Sequence, residues 1–337
     1  MIVSNKPLVS VICTAYNHEG FIREALESVI NQSYESIELI VIDNASTDAS
    51  RTIIEGFSDR HPSVQVVTNS SNLGLCKAFN QGLALASGKY VVDLSADDVL
   101  SAHRIERQVA FFEQLPDEYG VIFSNARFIN AKGHLLHHHY ETNEEGKAKV
   151  EVPSGDVYRN VLERYFICTP TMMMRRSLLD RLGGYDEALA FEDFDFWVRS
   201  AIISKYAYQD EILTYKRLLA NSLSLQVFKP GSGILESTYV VCNKAYDLNR
   251  NQEDFDQLAK RIRTFIRKCL YAQEFELGIR FRKLLNYIED PDPITEIFVL
   301  LCRMRLPVNG LYRVFRKASL KFISGRKDFR PNVVLFE

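Results

Sequence analysis

The sequence predicts an α/β fold: a mostly parallel central sheet flanked by helices, followed by a helical carboxyl-terminal region. Three observations carry this. Short apolar runs alternate with amphipathic stretches through the first 125 residues. Strands separated by helices of about ten residues or more pair in parallel through right-handed crossovers. Beyond Pro230 helical spacing takes over and strand signals stop.

The elements follow in order. LVSVIC (8–13) reads as a buried strand, and Phe21, Ile22, Ala25, Leu26, Val29 and Ile30 then share one helical face. IELIVID (37–43) is a second strand. Ser46, Thr47 and Asp48 suit the start of the helix after it. SVQVVT (63–68) is a third strand, and a helix is expected over Leu75–Ala86. Gly88 punctuates before the strand KYVVDL (89–94). A helix over 103–115 and a strand GVIFSN (120–125) complete this half. From Arg127 to Pro153 the pattern breaks, and HHHY (137–140) reads as a polar loop with solvated imidazoles. A helix is expected over 156–166, a strand over CTPTMMM (168–174) with its methionines filling core, and a short helix stopped by Gly183 and Gly184. PGSG (230–233) is the expected boundary, which divides the chain into 1–229 and 230–337, with a further division of the first part into 1–125 and 126–229. In the last part Ile262, Phe265, Ile266, Cys269 and Leu270 share a helical face.

Composition narrows the function classes. With 46% hydrophobic and 25% charged residues, the 337-residue chain reads as an ordinary globular protein. A formal net charge of -2 gives no general attraction to nucleic acid. No apolar run approaches the ~20 residues that span a bilayer. The start MIVSNKPLVSVIC lacks the features of a signal peptide, and the six scattered cysteines read as reduced thiols, so a cytoplasmic protein is expected.

The chemistry-bearing residues gather after strands, where open sheets of this kind bind ligands. TAYNHEG (14–20) offers an aromatic ring that could pack against a base. Asp43 ends a buried strand and could accept a hydrogen bond from a base N–H, with Asn44 and Ser46 shaping the turn. SADD (95–98) ends another strand in two carboxylates, which can hold a hard divalent cation against a phosphate. FEDFDFWVR (191–199) sets a cluster of acids at a helix start. An isolated Asp-Asp pair is more often a turn or a cap, so the weight rests on the combination.

In this order and spacing these segments resemble the family 2 glycosyltransferases, over roughly residues 6–220. VSVICTAYNHEGFIREALESVINQSYESIELIVIDNASTD, NLGLCKAFNQGLALASGKYVVDLSADD and GGYDEALAFED carry the resemblance. It implies the nucleotide-diphospho-sugar transferase (GT-A) fold and an inverting transfer of sugar from a nucleoside diphosphate, expected to be UDP, to a saccharide or lipid-linked acceptor. Cell-surface polysaccharide or glycoconjugate assembly is the expected setting. Residue by residue, it places Thr14, Ala15, Tyr16 and Asp43 at the nucleotide and adds Ser95 and Asp97 to the donor side. Asp97 and Asp98 would hold Mg2+ or Mn2+, and Asp193 would be the general base. Gly184, Tyr185 and Glu192 would lie on the sugar and acceptor side. Ser95 departs from the usual Asp-x-Asp-Asp pattern: its hydroxyl can bond ribose but carries no charge.

The residue types suit that chemistry. A cation between two phosphates stabilises a highly charged leaving group, and a carboxylate can take the acceptor hydroxyl's proton. Lys77 is a candidate phosphate contact or a solvated helix lysine. Asp195 is the second choice of base, Asp48 reads as a cap, Trp197 as core, and Asn72 and Gly74 as builders of a tight loop. Two rivals are a nucleotidyltransferase, whose glycine-rich basic phosphate loop TAYNHEG does not supply, and a non-catalytic nucleotide-sugar-binding module, motivated by Ser95. Residues 303–330 carry nine Lys or Arg and one acid among apolar residues. They suit an anionic membrane surface, and equally a solvated helix face or a contact in a homo-oligomer.

Overall fold

The structure, a computed structural model, describes residues 6–219, 222, 226–290, 292–310 and 312. Strand β1 (Val9–Ala15) leads to helix α1 (Ile22–Ile30), β2 (Ile37–Asp43), α2 (Ser50–Ser58), β3 (Gln65–Thr68), α3 (Leu75–Leu85), β4 (Tyr90–Ser95) and the short β5 (Val99–Leu100). Then come α4 (Arg104–Phe112), β6 (Tyr119–Ile129), β7 (Leu135–His138), α5 (Tyr158–Glu163), β8 (Met173–Arg175), α6 (Arg176–Leu182), α7 (Asp193–Ala201) and β9 (Lys205–Arg217). The remaining helices are α8 (Ile234–Leu248), α9 (Gln252–Ala272), α10 (Phe275–Leu285) and α11 (Pro293–Arg303).

The nine-stranded sheet runs β3-β2-β1-β4-β8-β6-β9-β5, with β7 beside β6. Pairing is parallel from β3 to β4 and again between the long strands β6 and β9. The short strands β8, β5 and β7 are antiparallel insertions. This is the mostly parallel, helix-flanked sheet that the alternation of elements implies. Every residue of β1 is buried, as expected of a strand covered by helices on both faces. Val11, Cys13, Val41, Val92 and Leu94 form one side of the core, packed with Leu26, Phe57 and Phe112 from α1, α2 and α4.

Three local expectations differ from the structure. In CTPTMMM, Thr169–Thr171 forms a 3-10 turn around Pro170, and only Met173 and Met174 enter a strand, continued by Arg175. The methionines do fill core, since Met172, Met173 and Met174 are all buried. Two of the loop histidines belong to a hairpin: His137 pairs with Phe128 and stacks on its ring at 4.5 Å. Burial pulls the imidazoles of His137 and His138 below the usual histidine range. The third difference is β9, a 13-residue strand that no periodicity in KYAYQDEILTYKR announces.

The chain divides into two compact units, residues 1–157 with 167–219 and residues 158–166 with 220–337. The first contains the whole sheet. The second contains α5 and α8–α11. Arg261 of α9 donates to the carbonyls of Leu162 and Val161 at 2.6 and 2.7 Å, which closes the end of α5. The face anticipated for α9 is buried at Ile262, Phe265, Ile266, Cys269 and Leu270. No helix among the described residues is long and apolar enough to cross a membrane. Apart from Tyr312, the basic segment beyond Gly310 lies outside the described residues.

Candidate active site

The sheet's carboxyl edge collects the first group of residues. Ala15 lies in register with Asp43, and Thr14 with Ser95. The chain keeps pairing past the strand ends, because Asn44 N donates to Ala15 O at 2.8 Å and Ala96 N to Thr14 O at 3.0 Å. Asp43 is buried. Its Oδ1 accepts the amide of Ser46 at 3.1 Å, while Oδ2 has no partner among the described residues. An unpaired buried carboxylate oxygen is costly, and a ligand N–H would satisfy it. Tyr16 is 43% exposed nearby in the chain, free to present its ring.

A polar mesh holds this edge. Asn17, in the left-handed region at φ 58°, accepts from Thr47 N at 2.7 Å. Asp48 accepts the amides of Ser50 and Glu19, so it organises the start of α2 as expected of a cap. Asn44 Oδ1 takes Leu73 N at 3.0 Å, and Asn72 Oδ1 takes Gly74 N at 2.9 Å. Asn72 and Gly74 thus shape the loop before α3. Lys77 stands exposed in the first turn of that helix.

The second group surrounds the turn after β4. Ser95 Oγ donates to Asp97 Oδ1 at 2.5 Å, and Asp98 N to Ser95 O at 3.0 Å. Asp97 keeps a partly open surface, whereas Asp98 is buried and accepts Arg217 N at 2.8 Å through Oδ1. Burial and the charge of Asp97 push the Asp98 carboxyl up to about 8, against Lys216 and the Arg217 amide. Arg217, also buried, donates to the carbonyls of Asp97 at 2.9 Å and Asn130 at 3.0 Å and to Glu24 at 2.7 Å.

The third group is the start of α7. Asp193 is its first residue, and its Oδ1 accepts Phe194 N at 2.5 Å. A helix amino terminus favours a charged carboxylate. Asp195 points elsewhere: it is 1% exposed and paired with Arg199 at 2.6 Å. Arg199 also donates to the carbonyls of Leu182 and Gly184, both at 3.0 Å. Asp195 therefore steadies the preceding loop. Trp197 is buried with its Nε1 against Met172 Sδ, a core residue as expected.

Gly184 has φ +75°, and an added Cβ would lie 2.4 Å from Asn80 Oδ1. That close approach lets Asn80 bond both the amide and the carbonyl of Tyr185, at 2.9 and 2.8 Å. Tyr185 itself is 2% exposed and stacks on Phe79 at 4.2 Å. Its hydroxyl donates to Asp93 Oδ2 at 3.1 Å, so it supports the site from beneath.

Sequence reasoning missed Asp93, Lys216 and Arg217. A lone acid in the buried run VVDL was the one available signal for Asp93. Burial pushes Asp93 up to about 7 and Glu192 up to about 8, the latter helped by Asp193 and Asp93 itself. Lys216 stands over the Phe128 ring with no hydrogen bond or ion pair among the described residues. Burial works against its charge, but the thiol of Cys168 and the acids Asp98, Asp193 and Asp97 hold it above the usual lysine range.

Among the described residues no three His, Cys, Asp or Glu cluster as a metal site. A magnesium-like cation does not need three, since it uses one or two carboxylates with substrate phosphates and water. Asp97 and Asp98 meet that requirement in donor chemistry.

Glu192 generates a pH prediction. A carboxyl raised by folding binds more protons folded than unfolded, so stability falls as pH rises from about 4.5 towards about 8. Glu192→Gln removes this loss. Melting at pH 5.5 and 8.5 should show the variant gaining on the wild type by at least ~1.4 kcal/mol, one pKa unit. An unchanged gap at the two pH values would contradict the assignment.

Comparison with known proteins places the chain in a family and a fold. A family model described as Glycosyl transferase family 2 matches residues 10–183. The putative teichuronic acid biosynthesis glycosyltransferase TuaG of Bacillus subtilis is 37% identical over 225 residues, 66% of this chain and 84% of that one. S. aureus TarS 1-349 in complex with UDP has a TM-score of 0.59 at 18% identity, over 91% of both chains. The mannosyltransferase PcManGT from Pyrobaculum calidifontis, in complex with GDP-Man and Mn2+, has a TM-score of 0.56 at 16% identity, over 90% of this chain and 86% of that one. At these identities the structures show the shared nucleotide-diphospho-sugar transferase (GT-A) fold. The chain belongs to glycosyl transferase family 2.

Proposed function

We propose that this glycosyltransferase moves a sugar, with inversion, from a UDP-linked donor to a saccharide or lipid-linked acceptor in cell-surface polysaccharide or glycoconjugate assembly. The observation that carries the reading is the register of the sheet's carboxyl edge, which sets Asp43 beside Ala15 and Ser95 beside Thr14, with Asp97 and Asp98 in the turn that follows. The unpartnered Asp43 Oδ2 supports recognition of a base N–H, which uracil supplies. UDP in the TarS complex and the teichuronic acid role named for TuaG support the donor and the setting.

Each residue has a role in this reading. Thr14, Ala15, Tyr16 and Asp43 receive the nucleoside, with Ser95 and Asp97 at the ribose and diphosphate. Asp97 and Asp98 hold magnesium or manganese, which neutralises charge on the departing diphosphate when bound. Asp193 accepts the proton of the acceptor hydroxyl. Glu192, raised by burial and its acidic neighbours, favours its neutral form and so limits the repulsion beside it. Gly184 and Tyr185 position the acceptor-side loop.

The base assignment is tested by Asp193→Asn, which is nearly isosteric. Donor binding should persist while transfer falls ~10²-fold or more. Asp195→Asn should instead lower the melting temperature, because it breaks a buried ion pair. Transfer surviving in Asp193→Asn would refute the assignment. If no UDP-sugar releases UDP in the presence of manganese and acceptor extracts, the chain is a binding module and not a transferase.

The metal assignment has its own test. Asp98→Ala should abolish the part of UDP affinity that a chelator removes from the wild type, and leave the fold intact. Calorimetry giving equal wild-type affinity with and without chelator would exclude a cation at this pair.

We also propose that the basic segment 303–330 rests on an anionic membrane, which suits a lipid-linked acceptor. Helix α11 and the residue after it support this. Ile294, Ile297, Leu300 and Met304 are each more than half exposed, opposite the buried Val299 and Cys302. In flotation with anionic vesicles the full chain should be recovered and a truncation at Pro307 depleted. Equal recovery would remove the membrane role.

A further inference from the structure

We infer that Lys216 is a phosphate-binding residue, a built-in cation that holds the donor's diphosphate beside Asp97 and Asp98. The inference rests on the donor reading above and names a residue that neither the family resemblance nor the motifs supply. Lys216 is the penultimate residue of β9, paired with Phe128 of β6, and its ammonium lies 5.9 Å from the centre of that ring. The next residue binds Asp98 through its amide, which fixes Lys216 at the edge of the β4 turn.

The side chain is only partly exposed and has no hydrogen bond or ion pair among the described residues. Burial strips water from this ammonium and the charges of Asp98, Asp193 and Asp97 offset that loss, yet no acceptor takes its N–H donors. Its neighbours show what it lacks. Arg217 uses its guanidinium on Asp97, Asn130 and Glu24. Arg199 is used on Asp195 and on the carbonyls of Leu182 and Gly184. Lys216 alone among these cations keeps its donors for something else. A lysine binds phosphate as a compact point charge. The ligand that the neighbouring acids would hold through a cation is a diphosphate, so one anion would satisfy the cation and Lys216 together.

Titration calorimetry with UDP and with UMP, in chelator and in manganese, reads this directly. In chelator the wild type should favour UDP over UMP by about tenfold or more. Lys216→Gln should lose that preference with little change in UMP affinity, and Lys216→Arg should keep it. In manganese the loss should shrink, because the cation shares the load. A Lys216→Gln protein that melts like the wild type and keeps the UDP preference would overturn the inference and leave the transferase reading standing. Equal weakening of UDP and UMP would also overturn it, since Lys216 would then only neutralise its acidic neighbours. Failure of the wild type to bind either UDP or GDP would sink the donor reading and this inference with it.

Discussion

The geometry of the β4 turn depends on Arg217. Its backbone amide reaches Asp98, and its guanidinium reaches the carbonyls of Asp97 and Asn130 and the carboxylate of Glu24. The plane of the guanidinium also lies over Phe21, 4.8 Å from the ring centre. One buried side chain therefore joins the end of β9, the β4 turn, the β6–β7 hairpin and α1. Hydrogen bonds from a charged donor contribute ~1.5–3 kcal/mol each, so the turn is held far more firmly than two adjacent aspartates in a free loop would be. Without that clamp, the buried Asp98 Oδ1 would lose its backbone donor, which is costly.

A second clamp works from the other side. Asp195 and Arg199 hold the Gly184 loop, and Asn80 holds the backbone of Tyr185. Tyr185 in turn reaches Asp93 inside the sheet. The start of α7 is thus tied to α3 and β4 by groups that do no chemistry themselves. Buried acids accumulate there, and the protein tolerates Asp93 and Glu192 by favouring their neutral forms. The charge that remains is concentrated on residues at the rim, where a ligand can meet it.

What was legible in the sequence follows from these constraints. Strands β1, β2 and β4 are buried on both faces, so they appear as continuous apolar runs, and an acid at the end of such a run stands out. Asp43, Asp97 and Asp98 were visible for that reason. Asp193 and Asp195 were separable because residues two apart in a helix face different sides. Strand β9 was not legible, because it lies partly open and mixes lysine, glutamine and aspartate with its apolar residues. Lys216 and Arg217 were hidden with it. The histidine hairpin was missed because aromatic stacking on Phe128, not hydropathy, orders it. In CTPTMMM, Pro170 cuts the strand short, a local rule that the apolar run concealed.

The serine at position 95 fits this electrostatic arrangement. Where the resemblance leads one to expect a third aspartate, Ser95 instead donates to Asp97 and adds no charge beside it. Asp98 is already pushed up to about 8 by burial and by Asp97. Another carboxylate two residues before Asp97 would raise that cost further and weaken the hold of Lys216 on any incoming anion. One acid fewer and one unpaired ammonium move the local field in the same direction, towards an anion. Under the inference for Lys216, the diphosphate then draws part of its neutralisation from the chain itself and depends less on a bound cation.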